Sequence, residues 1–317
     1  MNLFFQNQKN KEHLVVLIDI GSASVGGALI LINKKSNPKI VYSVRRDMAF
    51  QKKLDFDRFH SSMLESLVYV VGDLEKNGLP HLKFTHLGSL TPEKVECTFS
   101  SPWFASQTRI IKQKDNKEIK ITEDYLEKII EKEVNIFKES KEVEVKIRDT
   151  DTLVIEKQTQ QILLNGYETQ NPYGKIAKEI EIALLISVAL NDVVKDVTGK
   201  IMKVFSVENI SFNTFPSVFF NIVRSELSAP DEFILVDISG ELTDVSVVRN
   251  NVLINTSTFP AGKKNIIREL SKKLKTSTED ALSQLRIMDE GRMEDAQVIK
   301  FGKILGKILE KEWVNDY

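Results

Sequence analysis

Two aspartates, each at the end of an apolar run, have the surroundings best suited to chemistry in this sequence. Asp19 ends the first run and is followed by a short segment of small residues, Gly21-Ser22-Ala23-Ser24. A second apolar run begins at Val25, so the pattern predicts a strand, a tight turn and a second strand. The uncovered backbone amides of such a turn can bind a phosphate, and the neighbouring carboxylate can hold its metal ion. A purely structural hairpin has the same pattern.

The same plan recurs far downstream, in the stretch FILVDISGELTDVSVV from Phe233 to Val248. Its apolar run ends at Asp237, Ser239-Gly240 supplies the turn, and a β-rich run follows. Two copies of one plan predict two related domains that face a common ligand. The repeat therefore favours a phosphate site over two unrelated hairpins.

The elements around these hairpins predict an α/β chain. A third strand is expected from Ile40 to Val44, and a helix from Asp55 to Asn77 has apolar residues spaced by three or four. Gly78 is expected to end this helix. The polar run Lys157 to Gln161 is expected at a strand edge or hairpin tip and shows no chemistry of its own.

Residues 101–204 have a strand, helix and strand content of their own, which predicts a compact inserted α+β domain. The predicted division of the chain is a first domain over 1–100, the insertion over 101–204, a return to the first domain over 205–230, and a second domain over 231–317.

Composition excludes several classes of protein. The 317 residues are 42% hydrophobic and 28% charged, with a net charge of −1, so the chain is expected to be globular and not to bind nucleic acid. The only cysteine, Cys97, allows no internal disulfide, which fits a cytoplasmic setting. No apolar run approaches the length of a spanning helix, and the four histidines have no metal-ligand spacing.

The motifs in their order resemble the bacterial actin-like ATPases, in the branch that holds the cell-division protein FtsA and the type IV pilus protein PilM. IDIGSAS resembles the first phosphate motif of that family, DISGELTDVSVV the second, and FPAGKKNIIREL the segment after it. The stretch ILLNGYETQNPYGKIAKEIEIALLISV resembles the small domain that FtsA carries in place of an actin subdomain. The resemblance implies an actin-like, ribonuclease H-like fold of two domains with a small insertion in the first.

The resemblance also implies which residues would bind ATP and Mg²⁺. Asp19 and Asp237 would face each other at the metal and carry the catalysis, Asp237 through water. The remaining residues would hold the phosphates from two sides, with Arg286 as the cation near the adenosine: Gly21, Ser22, Ala23, Ser239, Gly240, Glu241, Thr243 and Arg286.

Several departures from the family pattern predict weak or absent nucleotide binding. Ser239 stands where the second motif usually has glycine, which tolerates positive φ. Leu282 and Ser283 occupy the expected position of an adenosine-binding glutamate. No glycine-rich loop follows residue 262, so the second domain is expected to be incomplete or the nucleotide site degenerate.

The segment from Glu294 to Trp313 predicts a basic amphipathic helix. Its apolar residues lie on one side and Lys300, Lys303 and Lys307 largely on the other. Such a helix is expected to pack on the sheet of the second domain; the alternative is peripheral contact with an anionic membrane.

Three functions remain open from the sequence. The first is an FtsA-like division protein that links a tubulin-like polymer to the inner face of the cell membrane and self-associates. The second is a PilM-like scaffold that binds a short peptide from a pilus inner-membrane protein. The third is an enzyme that hydrolyses ATP, which the departures disfavour because phosphoryl transfer depends on exact positioning of charge.

Overall fold

The computed structural model describes residues 12–33, 36–51, 55–83, 90–138, 151–227 and 229–311. Three β-sheets and the helices beside them make up this part of the chain. Strands and helices both occur throughout the first and inserted domains, as the sequence predicts for an α/β chain.

The first domain is built on a five-stranded sheet of order β3-β2-β1-β4-β9. Its first three strands form an antiparallel meander, whereas β4 and β9 run parallel to β1. The strands are β1 (His13–Ile20), β2 (Ser24–Asn33), β3 (Ser36–Asp47), β4 (Pro92–Phe99) and β9 (Ile210–Thr214). This strand order is the ribonuclease H-like arrangement that the resemblance implies.

Two helices cover one face of this sheet, α1 (Phe56–Asp73) and α4 (Asn191–Met202). Apolar side chains from the sheet and from both helices form one buried core. Asp55 caps α1 by accepting a hydrogen bond from the Arg58 amide at 3.1 Å. Cys97 is buried in the same core, where burial raises the pKa of its thiol, as expected of a small apolar residue rather than a nucleophile.

The prediction that Gly78 ends the first helix is wrong. After α1 the chain passes through one π-helical turn, Leu74–Gly78, directly into α2 (Leu79–Lys83). Gly78 lies against the sheet, where a Cβ atom would come within 2.8 Å of Tyr42 Cδ1 and 3.0 Å of Leu29 Cδ1. The glycine therefore allows close packing and does not terminate the helix.

The inserted domain is a second sheet with its own core. The order is β5-β8-β6-β7, and its strands are antiparallel. It consists of β5 (Ala105–Lys120), α3 (Glu123–Lys138), β6 (Thr152–Leu164), β7 (Tyr167–Glu168) and β8 (Ile176–Leu190). Helix α4, which the sequence assigned to this insertion, packs in the first-domain core through Val193, Val197 and Ile201. This helix therefore shares a core with the first sheet and not with the inserted one.

The second domain begins with a three-stranded antiparallel sheet of order β10-β11-β12. Its strands are β10 (Phe233–Ile238), β11 (Thr243–Arg249) and β12 (Val252–Phe259). Helix α5 (Phe215–Glu226) precedes this sheet and packs on it through Phe220 and Val223.

Three helices follow the sheet: α6 (Lys263–Leu274), α7 (Thr278–Asp289) and α8 (Asp295–Glu310). The predicted terminal helix corresponds to α8, and its predicted last residues, 312 and 313, lie outside the described residues. Phe301 and Ile308 of α8 pack with Leu270 and Ala281 of α6 and α7, and not on the sheet as expected. Among the helices that the structure describes, none is both long and apolar enough to cross a membrane.

Candidate functional site

The first predicted phosphate loop is the turn between β1 and β2. The Gly21 amide donates to the Ser24 carbonyl at 3.1 Å, which closes the turn. The Trp103 indole Nε1 donates to the Gly21 carbonyl at 2.8 Å, and Ser22 is fully buried. The Gly21 amide, which the resemblance assigns to a phosphate, is therefore engaged within the loop.

Asp19 faces an arginine that the sequence did not reveal. Arg45 Nη2 lies 2.6 Å from Asp19 Oδ2, and Arg45 Nη1 donates to Ser24 Oγ at 2.8 Å. Gly26 on β2 pairs with Asp19 on one side and with Arg45 on the other. A Cβ atom on Gly26 would lie 2.6 Å from Arg45 Nη2, so this glycine makes room for the guanidinium group. The positive charge beside Asp19 is therefore the guanidinium group of Arg45.

The second predicted loop, between β10 and β11, rests directly on the first. The Ser239 amide donates to the Leu242 carbonyl at 3.0 Å, and the Glu241 amide donates to Ser22 Oγ at 3.0 Å. A Cβ atom on Gly240 would lie 1.9 Å from Ala23 Cβ. The two loops therefore meet at van der Waals contact, with Gly240 as the residue that permits it.

Helix α6 reinforces this contact from the second domain. Glu241 is only 3% exposed, and its Oε2 lies 2.6 Å from Arg268 Nη2. Arg268 Nη1 also donates to the Gln51 carbonyl at 3.3 Å, and Lys264 Nζ donates to the Met48 carbonyl at 3.2 Å. Burial lowers the pKa of Lys264. Two cations of α6 thus reach the segment that follows β3 in the first domain.

Asp237, the second predicted metal ligand, lies in an acidic setting. Burial raises the pKa of Asp237, and the neighbouring carboxylates of Asp244 and Asp19 raise it further. Asp244 is itself buried and accepts hydrogen bonds from Ser101 Oγ at 2.8 Å and Thr258 Oγ1 at 2.6 Å. Within the described ranges, no group of three or more His, Cys, Asp or Glu side chains is arranged to hold a metal ion.

The remaining predicted residues are occupied or distant. Thr243 is buried, and its hydroxyl donates to the Ala261 carbonyl at 2.6 Å. Arg286 lies exposed in the last turn of α7, and among the described residues it makes no polar contact with either loop. With the loops touching, the amides of Gly21, Ser239 and Glu241 engaged and Asp19 paired to Arg45, the residues in this arrangement do not fit a magnesium-bound triphosphate.

Sequence reasoning missed four residues that shape the site: Arg45, Ser101, Asp244 and Arg268. Asp244 and Arg268 lie inside motifs that carry the resemblance, DISGELTDVSVV and FPAGKKNIIREL, so these stretches held a signal. Arg45 lies one residue beyond the predicted third strand, and Ser101 follows β4; no spacing in the sequence indicates either residue.

Comparison with known proteins defines the fold. No protein-family model and no curated protein matches the sequence. The structure is similar to one titled "PilM-PilN type IV pilus biogenesis complex", with a TM-score of 0.57 and 9% identity over 94% of this chain and 73% of that chain.

Two further solved structures show weaker similarity. One is the ethanolamine utilization protein EutJ from Carboxydothermus hydrogenoformans, with a TM-score of 0.42 and 10% identity over 96% of this chain and 70% of that chain. The other is a Bacteroides thetaiotaomicron protein with an actin-like ATPase fold and unknown function, with a TM-score of 0.38 and 9% identity over 84% of this chain and 78% of that chain.

The chain has the actin-like ATPase fold. The five-stranded first sheet, the repeated β-hairpin with its aspartate and the similarity to the PilM–PilN structure agree on this point. At 9% identity the similarity establishes the fold alone. The role of this chain has to be argued from the residues of its site.

Proposed function

We propose that this chain is a PilM-like scaffold of the cytoplasmic face of a membrane, which binds a short peptide from a pilus inner-membrane protein without turning over ATP. One observation carries the proposal: the two loops that would hold a triphosphate between them are packed on each other, with Gly240 against Ala23. Because phosphoryl transfer needs phosphates and metal positioned between these loops, a closed pair favours binding over catalysis.

Electrostatics supports the same conclusion. Arg45 engages Asp19 Oδ2, one of the two carboxylate oxygens that a metal ion could use as a ligand. Arg268 neutralises Glu241 in the second loop, where the side chain is buried. Both acidic groups therefore have cationic partners without any bound ligand.

The pilus role is preferred to the division role because of the fold comparison. The inserted domain belongs to both branches of the family resemblance, so it does not choose between FtsA and PilM. The structure with the TM-score of 0.57 is a PilM–PilN complex. That similarity supports a peptide partner of the pilus kind over a tubulin-like polymer.

Fluorescence anisotropy with two labelled peptides tests this function. One peptide comes from the cytoplasmic part of a pilus inner-membrane protein and the other from the tail of a tubulin-like division protein, both from the source organism. We expect saturable binding of the pilus peptide, with the same affinity in the presence and absence of Mg–ATP. A scrambled pilus peptide is the control, and exclusive binding of the division peptide would contradict the proposal.

A further inference from the structure

Three carboxylates lie at the junction, the contact of the first loop over residues 21–23 with the second over residues 239–242. Asp237 is directly opposite Asp244 in the antiparallel pair of β10 and β11, and residues paired in this way have their side chains on the same face of a sheet. Ser101, which follows β4, donates to Asp244 at 2.8 Å, so that face is turned towards the first domain. The third carboxylate is that of Asp19 at the end of β1, whose charge acts on Asp237.

Two of these three carboxylates have partners. Arg45 Nη2 lies 2.6 Å from Asp19 Oδ2. Asp244 accepts hydrogen bonds from two hydroxyl groups, at 2.8 Å and 2.6 Å. The carboxylate of Asp237 makes no hydrogen bond or ion pair with any residue that the structure describes. Because like charges directly opposite each other in a sheet are destabilising, Asp237 is the carboxylate at which the junction is most sensitive to a change of charge.

The charges that act on Asp237 come from three other elements: Asp244 from β11, Asp19 from β1 and Lys263 from α6. Burial raises the pKa of Asp237, and the carboxylates of Asp244 and Asp19 raise it further, whereas Lys263 lowers it. The Lys263 side chain is exposed and forms no ion pair with Asp237. The folded chain therefore binds a proton at Asp237 more tightly than the unfolded chain does, and the stability that this proton supplies is lost as the pH rises.

Closure of the junction works against this repulsion. The two loops are in contact, and the Glu241 amide of the second loop donates to Ser22 Oγ of the first at 3.0 Å. This contact holds the charge of Asp19 on the first domain close enough to act on Asp237 of the second. Parting the domains separates the two charges and lets water screen them. Ionisation of Asp237 therefore opposes closure.

We propose that the junction responds to protons: the two loops stay in contact while Asp237 is protonated, and they part more often once it is ionised. Two cations of α6 hold the domains together in both states, because Lys264 donates to the Met48 carbonyl and Arg268 to the Gln51 carbonyl. The proton therefore changes how often the loops part and not whether the chain folds. The proposal concerns the contact between the domains and is independent of the pilus peptide, which is tested with other probes.

Amide hydrogen exchange of the full, isotope-labelled chain, followed by NMR at pH about 4.5 and about 7.5 and constant ionic strength, tests the proposal. The reporter is the Glu241 amide, whose hydrogen bond to Ser22 joins the two loops. The reference is the Ser239 amide, which donates to the Leu242 carbonyl within the second loop. After correction for the intrinsic pH dependence of exchange, the protection of Glu241 should fall at least about threefold at the higher pH, and that of Ser239 should not.

Three variants assign the pH dependence to Asp237. Asp237→Asn keeps the size of the side chain and removes its charge, so the protection of Glu241 should agree at the two pH values within about twofold. Glu65→Gln removes an exposed carboxylate of α1 and should keep the wild-type fall. Lys263→Gln removes the cation that acts on Asp237 and should enlarge the fall, which decides the matter if Asp237→Asn does not fold. Constant protection in the wild-type chain, an unchanged fall in Asp237→Asn or Lys263→Gln, or an equal fall at Ser239 would overturn the proposal.

Discussion

Arg45 gives the first loop a cation that belongs to the protein. Its guanidinium lies 2.6 Å from Asp19, and both side chains are 40% exposed or more. An exposed ion pair of this kind contributes little to folding, typically about 0–1 kcal/mol. The pair matters because Arg45 engages the Asp19 carboxylate, and not because it stabilises the fold. Arg45 is therefore the residue to change in a test of nucleotide binding.

Removing Arg45 should strengthen the binding of Mg–ATP. We expect the wild-type chain to bind Mg–ATP with a Kd on the order of a millimolar, and Arg45→Ala to bind about tenfold more tightly because Asp19 becomes free to ligate the metal. Calorimetric titration measures both values. Trp103 fluorescence in a Trp313→Phe background gives a second signal, since the Trp103 indole donates to the Gly21 carbonyl.

The neighbouring arginine is the matched control. Arg46 lies over the Tyr69 ring, with its Cζ 4.8 Å from the ring centroid. Arg46→Ala therefore removes the same charge from the same strand without touching Asp19, and should leave the titration unchanged. Low-micromolar binding by the wild-type chain that disappears in Asp19→Ala would show that the site is a working nucleotide site.

The positions of the two loops could be predicted from the sequence. The contact between the loops and the pairing of Asp19 with Arg45 could not. Asp19 and Asp237 end apolar runs, and the repeat of that pattern places both beside one cleft. The contact of Gly240 with Ala23 depends on how far the two domains close. The reach of Arg45 depends on the register of β2 against β3. Both are tertiary facts that no local pattern contains.

At the scale of elements, periodicity predicted the strands and helices better than their ends. The helix expected from Asp55 to Asn77 is present because its apolar residues share one face, seven of its residues being buried. Its predicted end was wrong because glycine has two uses, one at a helix terminus and one at a close contact. The sequence does not distinguish them, and the packing of Tyr42 on Gly78 does.

Two glycines in this helical segment allow the effect of helix propensity on stability to be measured separately from the effect of packing. Gly72 has no atom within 4 Å of its would-be Cβ, whereas Gly78 faces Tyr42 and Leu29. Gly72→Ala should stabilise the chain by about 0.5–1 kcal/mol through helix propensity. Gly78→Ala should destabilise it by about 1–3 kcal/mol, because the methyl group must displace a packed aromatic ring.

Urea unfolding followed by circular dichroism measures both changes. The two variants introduce the same atom into one continuous helical segment, so each is the control of the other. If Gly78→Ala stabilised the chain as much as Gly72→Ala, the glycine would be a simple helix residue and the packing argument would fail.

At the scale of the molecule, the inserted sheet ties the two domains together. Gln160 of β6 is buried, accepts from the Leu253 amide at 2.7 Å, and lies in a polar run that showed no chemistry in the sequence. The Thr108 hydroxyl of β5 donates to the Leu253 carbonyl. Leu185 of β8 joins the core formed by α5 and the second sheet. The inserted sheet therefore contacts the second domain through hydrogen bonds to Leu253 and through the shared core.

Arg268 of α6 contacts both the second loop and the first domain, through Glu241 and the Gln51 carbonyl. Its removal should lower the free energy of unfolding. Glu241 and Arg268 are 3% and 13% exposed, so removing the cation leaves a buried carboxylate unpaired. Arg268→Met should lower the free energy of unfolding by about 3–5 kcal/mol. Lys128→Met, which breaks the exposed pair with Asp124, should cost less than about 1 kcal/mol. Urea unfolding compares the two, and Arg268→Met/Glu241→Gln should recover part of the loss because the stranded charge is gone. Equal costs for the two single variants would show that the buried pair of Glu241 and Arg268 stabilises the fold no more than an exposed pair does.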